Sequence, residues 1–185
     1  MYLTMQANIF QDEGIIENPT LPDRVSFIRG KFIEHSFDAP LRYRTNCAAA
    51  ETPPLDYFSG HGPICSEKML NAFKAVGVNN FQIFPIVLIS EDGSCEWDGY
   101  YALNILGRLA SCHVNDPESI NIAACEAGYR GPKNFIVNKN ALQNLLLFRV
   151  VRSHQVIIKE EVLKNMVPYA PDRGWGISAF PLEDK

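Results

Sequence analysis

The stretch Pro63–Leu88, "PICSEKMLNAFKAVGVNNFQIFPIVL", constrains the fold more than any other part of the chain. A short apolar segment runs straight into a helical pattern. Ser66 can accept a bond from one of the N–H groups that a helix start leaves unpartnered, and Glu67 sits at the positive end of the helix dipole. Met69, Leu70, Phe73 and Val76 then fall on one face at helical spacing, and Gly77 supplies the stop. Burying those side chains contributes about 1.5–3 kcal/mol each before entropy is counted, so docking rather than intrinsic propensity must hold so short a helix. After the stop, "FQIFPIVLIS" is apolar at both parities from Ile83 to Ile89, the pattern of a strand covered on both faces. Pro85 requires that the neighbour on one side of this strand be missing or displaced by a bulge.

Nearly the same phrase returns as "QVIIKEEVLKNMVPYAPDRGWGISAFP", Gln155–Pro181. "QVII" reads as a strand, and "KEEVLKNM" as a helix with Val162, Leu163 and Met166 on one face, which Pro168 is expected to end. The glycines of "DRGWG" turn the chain into a last strand, with the Trp175 indole expected over a sheet edge. Between the two phrases, "EDGSCEWDG" is a turn and "YYALNILGRLA" a returning strand, giving a long hairpin from about Phe81 to Leu109; "NFIVN" and "LLLFRVV" are further strands. Before them, the alternation at Val25, Phe27 and Phe32 predicts short strands joined by turns, and Pro53 and Pro54 mark an irregular stretch. The pattern predicts an α+β fold: a mixed or antiparallel sheet carrying a few short helices, with a strand–helix–strand unit used twice. At 185 residues, 46% hydrophobic and 21% charged, the chain suits a single domain over 1–185, divided into an irregular N-terminal part, 1–62, and a core, 63–185.

Composition argues against several classes of function. A net charge of −4 lacks the basic excess that phosphate neutralisation needs, so nucleic acid is not an expected partner. The longest apolar runs, "FPIVLI" and "LLLF", fall far short of the roughly 20 residues that span a bilayer. "MYLTMQANIFQDEG" has neither the positive start nor the apolar centre of a signal peptide. Five cysteines, an odd number without CxxC spacing, fit a reduced, cytoplasmic protein.

Chemistry is sparse. The common nucleotide-binding, metalloprotease and nucleophile-elbow motifs are absent from the sequence. In "SGHGPICSE", His61 and Cys65 are close enough to consider as a thiolate–imidazole pair, but a cysteine leading into a helix is more simply a packing residue. Cys112, His113 and Cys125 lack the second close pair that a tetrahedral metal site needs, so neither a metal nor a cofactor is expected. The turn "EDGSCEWDG" gathers acids around an aromatic, and Glu91, Asp92, Trp97 and Asp98 are the candidate partner-binding residues. The alternative is a solvated hairpin tip whose Trp97 folds back on the sheet.

The ordered series "VSFIRGKFI", "PICSEKMLNAFKAVGVNNFQIFPI", "YYALNILGRL", "LLLFRV" and "VIIKEEVLKNM" followed by "GWGISAF" resembles a bacterial immunity protein family of polymorphic toxin systems, the eleventh such family and formerly a domain of unknown function. The resemblance spans about Ser26 to Phe180. Ser66 and Glu67, Phe84 and Pro85, Asn104 and Ile105, and Phe148 and Arg149 fit the family pattern; Lys159 and Glu160 depart from its second serine-led helix start. The resemblance implies a small cytoplasmic α+β protein, not an enzyme, that binds a cognate toxin and neutralises it by stoichiometric occlusion. Two other readings stand beside it: a general protein-interaction or self-associating domain without a toxin, and a small enzyme using Cys65 and His61.

Overall fold

Side-chain alternation along a strand sends neighbouring residues to opposite faces, and here it divides the apolar residues between two cores. A computed structural model describes residues 1–8, 13–48, 54–109, 119–123, 134–138, 145–150 and 155–181. In chain order the elements are strands β1 (Tyr2–Ala7), β2 (Ile15–Glu17), β3 (Leu41–Thr45), β4 (Tyr57–Ser59) and β5 (Pro63–Ser66), helix α1 (Glu67–Ala75), and strands β6 (Phe81–Ile89), β7 (Glu96–Ile105), β8 (Arg108–Leu109), β9 (Ser119–Ala123), β10 (Asn134–Asn138), β11 (Leu147–Val150) and β12 (Val156–Lys159). Helix α2 (Glu160–Met166), a 3-10 turn (Val167–Tyr169) and strand β13 (Ile177–Pro181) follow. The strands form a six-stranded sheet in the order β2-β3-β6-β7-β5-β4, a five-stranded sheet in the order β13-β1-β12-β11-β8, and the antiparallel pair β9–β10. Each larger sheet contains one parallel pair, β3–β6 or β8–β11, so both are mixed and the fold is α+β.

The two related phrases build the same topological unit. Strands β5 and β6 flank β7 and run antiparallel to it, so α1 joins two strands of like direction across a third. Strands β12 and β13 flank β1 in the same way, and α2 joins them. The first unit carries the cap its sequence predicts: Met69 N–H donates to Ser66 Oγ at 3.1 Å. Gly77 then reverses the chain at φ +87°, a left-handed conformation that glycine adopts without steric cost. In the second unit Lys159 provides no side-chain cap, and Glu160 is instead paired with Lys164 one turn on, at 2.8 Å. The α-helix stops at Met166, just before Pro168. Pro168 lies inside the 3-10 turn, near whose start a missing N–H breaks no hydrogen bond.

One core lies between the sheets. It gathers Leu3 and Met5 of β1, Cys65 of β5, Met69, Leu70 and Phe73 of α1, Leu103 and Ile105 of β7, Val156 and Ile158 of β12, and Val162 and Met166 of α2. Trp175, expected over a sheet edge, is buried in this same core. The opposite parity of the six-stranded sheet, including Phe58, Ile64, Ile86, Leu88, Tyr100 and Ala102, forms a second core with Phe27 and Ile33.

Phe27 and Ile33 belong to segment 18–40, which contains no strand or helix despite its alternating pattern. Side chains rather than a backbone ladder fasten it. The Gln82 carboxamide accepts Ile33 N–H at 2.8 Å and donates to Ile33 C=O at 3.0 Å, as a neighbouring strand would. Asn104 Nδ2 donates to Lys31 C=O at 2.7 Å and to Gln82 Oε1 at 2.8 Å. Strand β3 reaches only Ile86–Ile89 of β6, so Phe81–Pro85 has no strand on that side among the described residues and stays partly exposed. That gap accommodates Pro85, and it means that only the second half of β6 meets the expectation of burial on both faces.

Candidate functional site

The β6–β7 hairpin contains the two longest strands among the described residues, of 9 and 10 residues, and projects a tip at residues 90–95. The tip is held by its own polar atoms. Ser90 N–H donates to Cys95 C=O at 3.0 Å, and Gly93 N–H to Ser90 C=O at 3.0 Å. Asp92 Oδ1 accepts from Ser90 Oγ at 2.7 Å, Ser94 N–H at 3.0 Å and Ser94 Oγ at 2.8 Å. The Ser90 hydroxyl, followed by these Ser94 donors, stabilises the ionised carboxyl and holds its pKa down at about 2.

Neighbouring arginines fix the base of the tip. Arg44 Nη1 donates to Glu91 C=O at 3.0 Å, while its Nε pairs with Glu17 at 3.1 Å. Arg42, on the same face of β3, forms an ion pair with Glu96. Exposed pairs of this kind contribute about 0–1 kcal/mol each, so their main effect is positional. Glu91, Asp92 and Asp98 are exposed and form no ion pair among the described residues. Asp98 and Gly99 occupy a bulge: Ile86 pairs with Tyr100 and Leu88 with Trp97, setting two residues of β7 against one of β6. Trp97 packs against the second core and is only partly exposed. The structure thus brings together the four residues singled out by sequence, with three carboxylates facing solvent and the indole turned largely inward.

Cys65 and His61 sit in different surroundings. Cys65 is fully buried and packs in the core between the sheets, where burial, followed by the nearby Asp56 charge, pushes its thiol well above the usual range. His61 lies exposed in the β4–β5 turn, its backbone N–H donating to Asn18 Oδ1 at 2.7 Å. Cys112, His113 and Cys125 lie outside the described residues. Among the described residues no group of three or more His, Cys, Asp or Glu side chains is placed to hold a metal ion, and no helix is long and apolar enough to cross a membrane.

Two polar features go beyond what the sequence patterns suggest. Ser66 Oγ, besides capping α1, donates to the buried Asp56 carboxylate at 2.5 Å. Arg149, which reads as one residue of an apolar strand in "LLLFRV", is only 1% exposed. A lone charge inside an apolar run was the available signal, because a buried guanidinium must be compensated by its surroundings. Neither the models of known protein families nor the curated proteins compared with this chain match it.

Proposed function

We propose that this chain is an immunity-type protein that binds a cognate bacterial toxin in the cytoplasm and neutralises it by stoichiometric occlusion, with the β6–β7 tip as part of the contact surface. The observation that supports this reading is a set of exposed carboxylates, Glu91, Asp92 and Asp98, on a tip whose backbone is already fixed by hydrogen bonds. A preorganised tip loses little conformational freedom on docking, and its charge favours a basic surface on the partner. A tight complex buries on the order of 1,600 Å², so the tip would be one portion of a larger interface. The buried, strongly protonated Cys65 thiol disfavours the Cys/His enzyme. A protein-interaction or self-associating domain without a toxin remains as the second reading.

The test is co-purification of the tagged chain with the product of its neighbouring gene, coupled to growth protection in cells expressing that product. The expected result is a 1:1 complex and restored growth. Glu91→Lys with Asp98→Lys should slow association and weaken binding by about tenfold, since charge reversal acts mainly on encounter. Asp92 is left intact in that variant because it organises the turn. Unchanged affinity would remove the tip from the interface; no capture and no protection would leave the interaction-domain reading.

A further inference from the structure

Segment 18–40 holds a cleft of about 410 Å³, lined by Arg24, Arg29, Lys31 and Phe32 together with Asp23 and Glu34, among others. Its walls are fixed although they belong to no strand or helix. On one side Val25 N–H donates to Pro22 C=O at 3.1 Å, closing a turn in which Arg24 takes a left-handed φ of 69°, a conformation few side chains adopt. On the other, the Gln82 and Asn104 side chains clamp the backbone of Ile33 and Lys31. Phe27, between the two walls in sequence, is anchored in the second core.

Charge gives the cleft its character. Arg24, Arg29 and Lys31 are exposed and form no ion pair among the described residues, so three cations stand there against the carboxylates of Asp23 and Glu34. Phe32 beside them is 68% exposed, more than any other large apolar side chain among the described residues. The hairpin tip has the opposite charge on an equally fixed backbone, with Glu91, Asp92 and Asp98 exposed. The two patches cannot meet within one molecule. Gln82, which holds Ile33, and Ile89, the last residue of β6 before the tip, stand about 23 Å apart along the strand, and the tip extends beyond.

We propose that this cleft takes the acidic tip of a second copy of the chain, Arg24, Arg29 and Lys31 facing Glu91, Asp92 and Asp98, with Phe32 packed at the edge of the contact. Because the two patches differ, a pair of molecules leaves one tip and one cleft free, and association runs head to tail. Both patches belong to this chain, so the contact needs no toxin; a toxin that takes the tip competes with it. Exposed ion pairs are individually weak and are screened by salt, which sets the Kd on the order of 0.1 mM at low ionic strength.

The experiment is sedimentation equilibrium of the full chain at concentrations up to about 0.5 mM, in about 20 mM and about 500 mM sodium chloride. The weight-average mass is expected to rise with concentration in low salt and to stay at that of one chain in high salt. Glu91→Lys with Asp98→Lys, and separately Arg29→Glu with Lys31→Glu, should each remain monomeric in low salt. All four side chains are exposed, so both variants should melt as the wild type does. Their equimolar mixture should associate again, because the first variant keeps the basic cleft and the second the acidic tip. Arg29→Gln with Lys31→Gln removes charge without reversing it, should weaken association about tenfold, and replaces the reversed form if that one unfolds. Three results overturn the proposal: the mass of one chain at every concentration in low salt, association that both variants retain, or a mixture that stays monomeric while its two components melt as the wild type does.

Discussion

A thiol reacts in proportion to the thiolate it holds and to its exposure. Cys65 and His61 are four positions apart in the sequence, which suggests a dyad, but strand parity sends the Cys65 side chain into the core while His61 stays in a turn. Cys47 is also buried, and desolvation raises its thiol to about 11, whereas Cys95 is partly exposed at the hairpin tip. Iodoacetamide at pH 8 should therefore modify Cys95 well before Cys47 or Cys65, as read by peptide mass mapping over time. Labelling of Cys65 in the folded protein at its rate in the denatured chain would restore it as a nucleophile. The Asp92 carboxyl responds to pH in the opposite direction. With its folded pKa depressed to about 2, its contribution to the tip is complete above the unfolded value of about 3.9 and is lost as pH falls through about 2. The tip accordingly keeps this charge throughout the neutral range.

Helix α1 is fastened at its first residue by a network that includes more than the cap. Ser66 Oγ accepts from Met69 N–H and donates to Asp56, whose other carboxylate oxygen lies 3.7 Å from Arg173. Ser66→Ala therefore removes a cap, typically about 1 kcal/mol, and takes one donor from a buried carboxylate, a further 1–3 kcal/mol or so. A loss of about 2–4 kcal/mol in urea unfolding is expected, against about 1 kcal/mol if only the cap matters. Restoration by Ser66→Thr would separate the hydroxyl from the packing. Legibility follows the range of the interactions. The cap, apolar face and glycine stop of α1 lie within a dozen residues and could be read directly, as could the turn between β6 and β7. Segment 18–40 misled because its alternation resembles a strand, whereas its backbone partners are the side chains of Gln82 and Asn104, some 50 to 70 residues away. Strand β1 was silent for the same reason: its six residues acquire meaning only beside β12 and β13. The acidic tip was visible as composition, but the inward turn of Trp97 depends on the bulge at Asp98 and Gly99.

At the scale of the whole molecule, the two strand–helix–strand units are each incomplete without a strand from elsewhere. The second unit has its central strand supplied from the N-terminus, β1 lying between β12 and β13. The six-stranded sheet likewise takes β2, β3 and β4 from residues before 63. Removing residues 1–62 would strip Leu3 and Met5 from the core between the sheets, and Phe27, Tyr43 and Phe58 from the second core. Full burial of each such side chain contributes about 1.5–3 kcal/mol, so five of them outweigh much of the roughly 5–15 kcal/mol by which a domain is stable. Residues 63–185 alone should therefore fail to fold, giving a poorly dispersed proton–nitrogen correlation spectrum and no cooperative melt, even though they contain both helices described above. Mixing that fragment with a second one comprising residues 1–62 should recover dispersion, because β1 can still insert between β12 and β13. A cooperative melt by the 63–185 fragment alone would show instead that the second half folds without its borrowed strand.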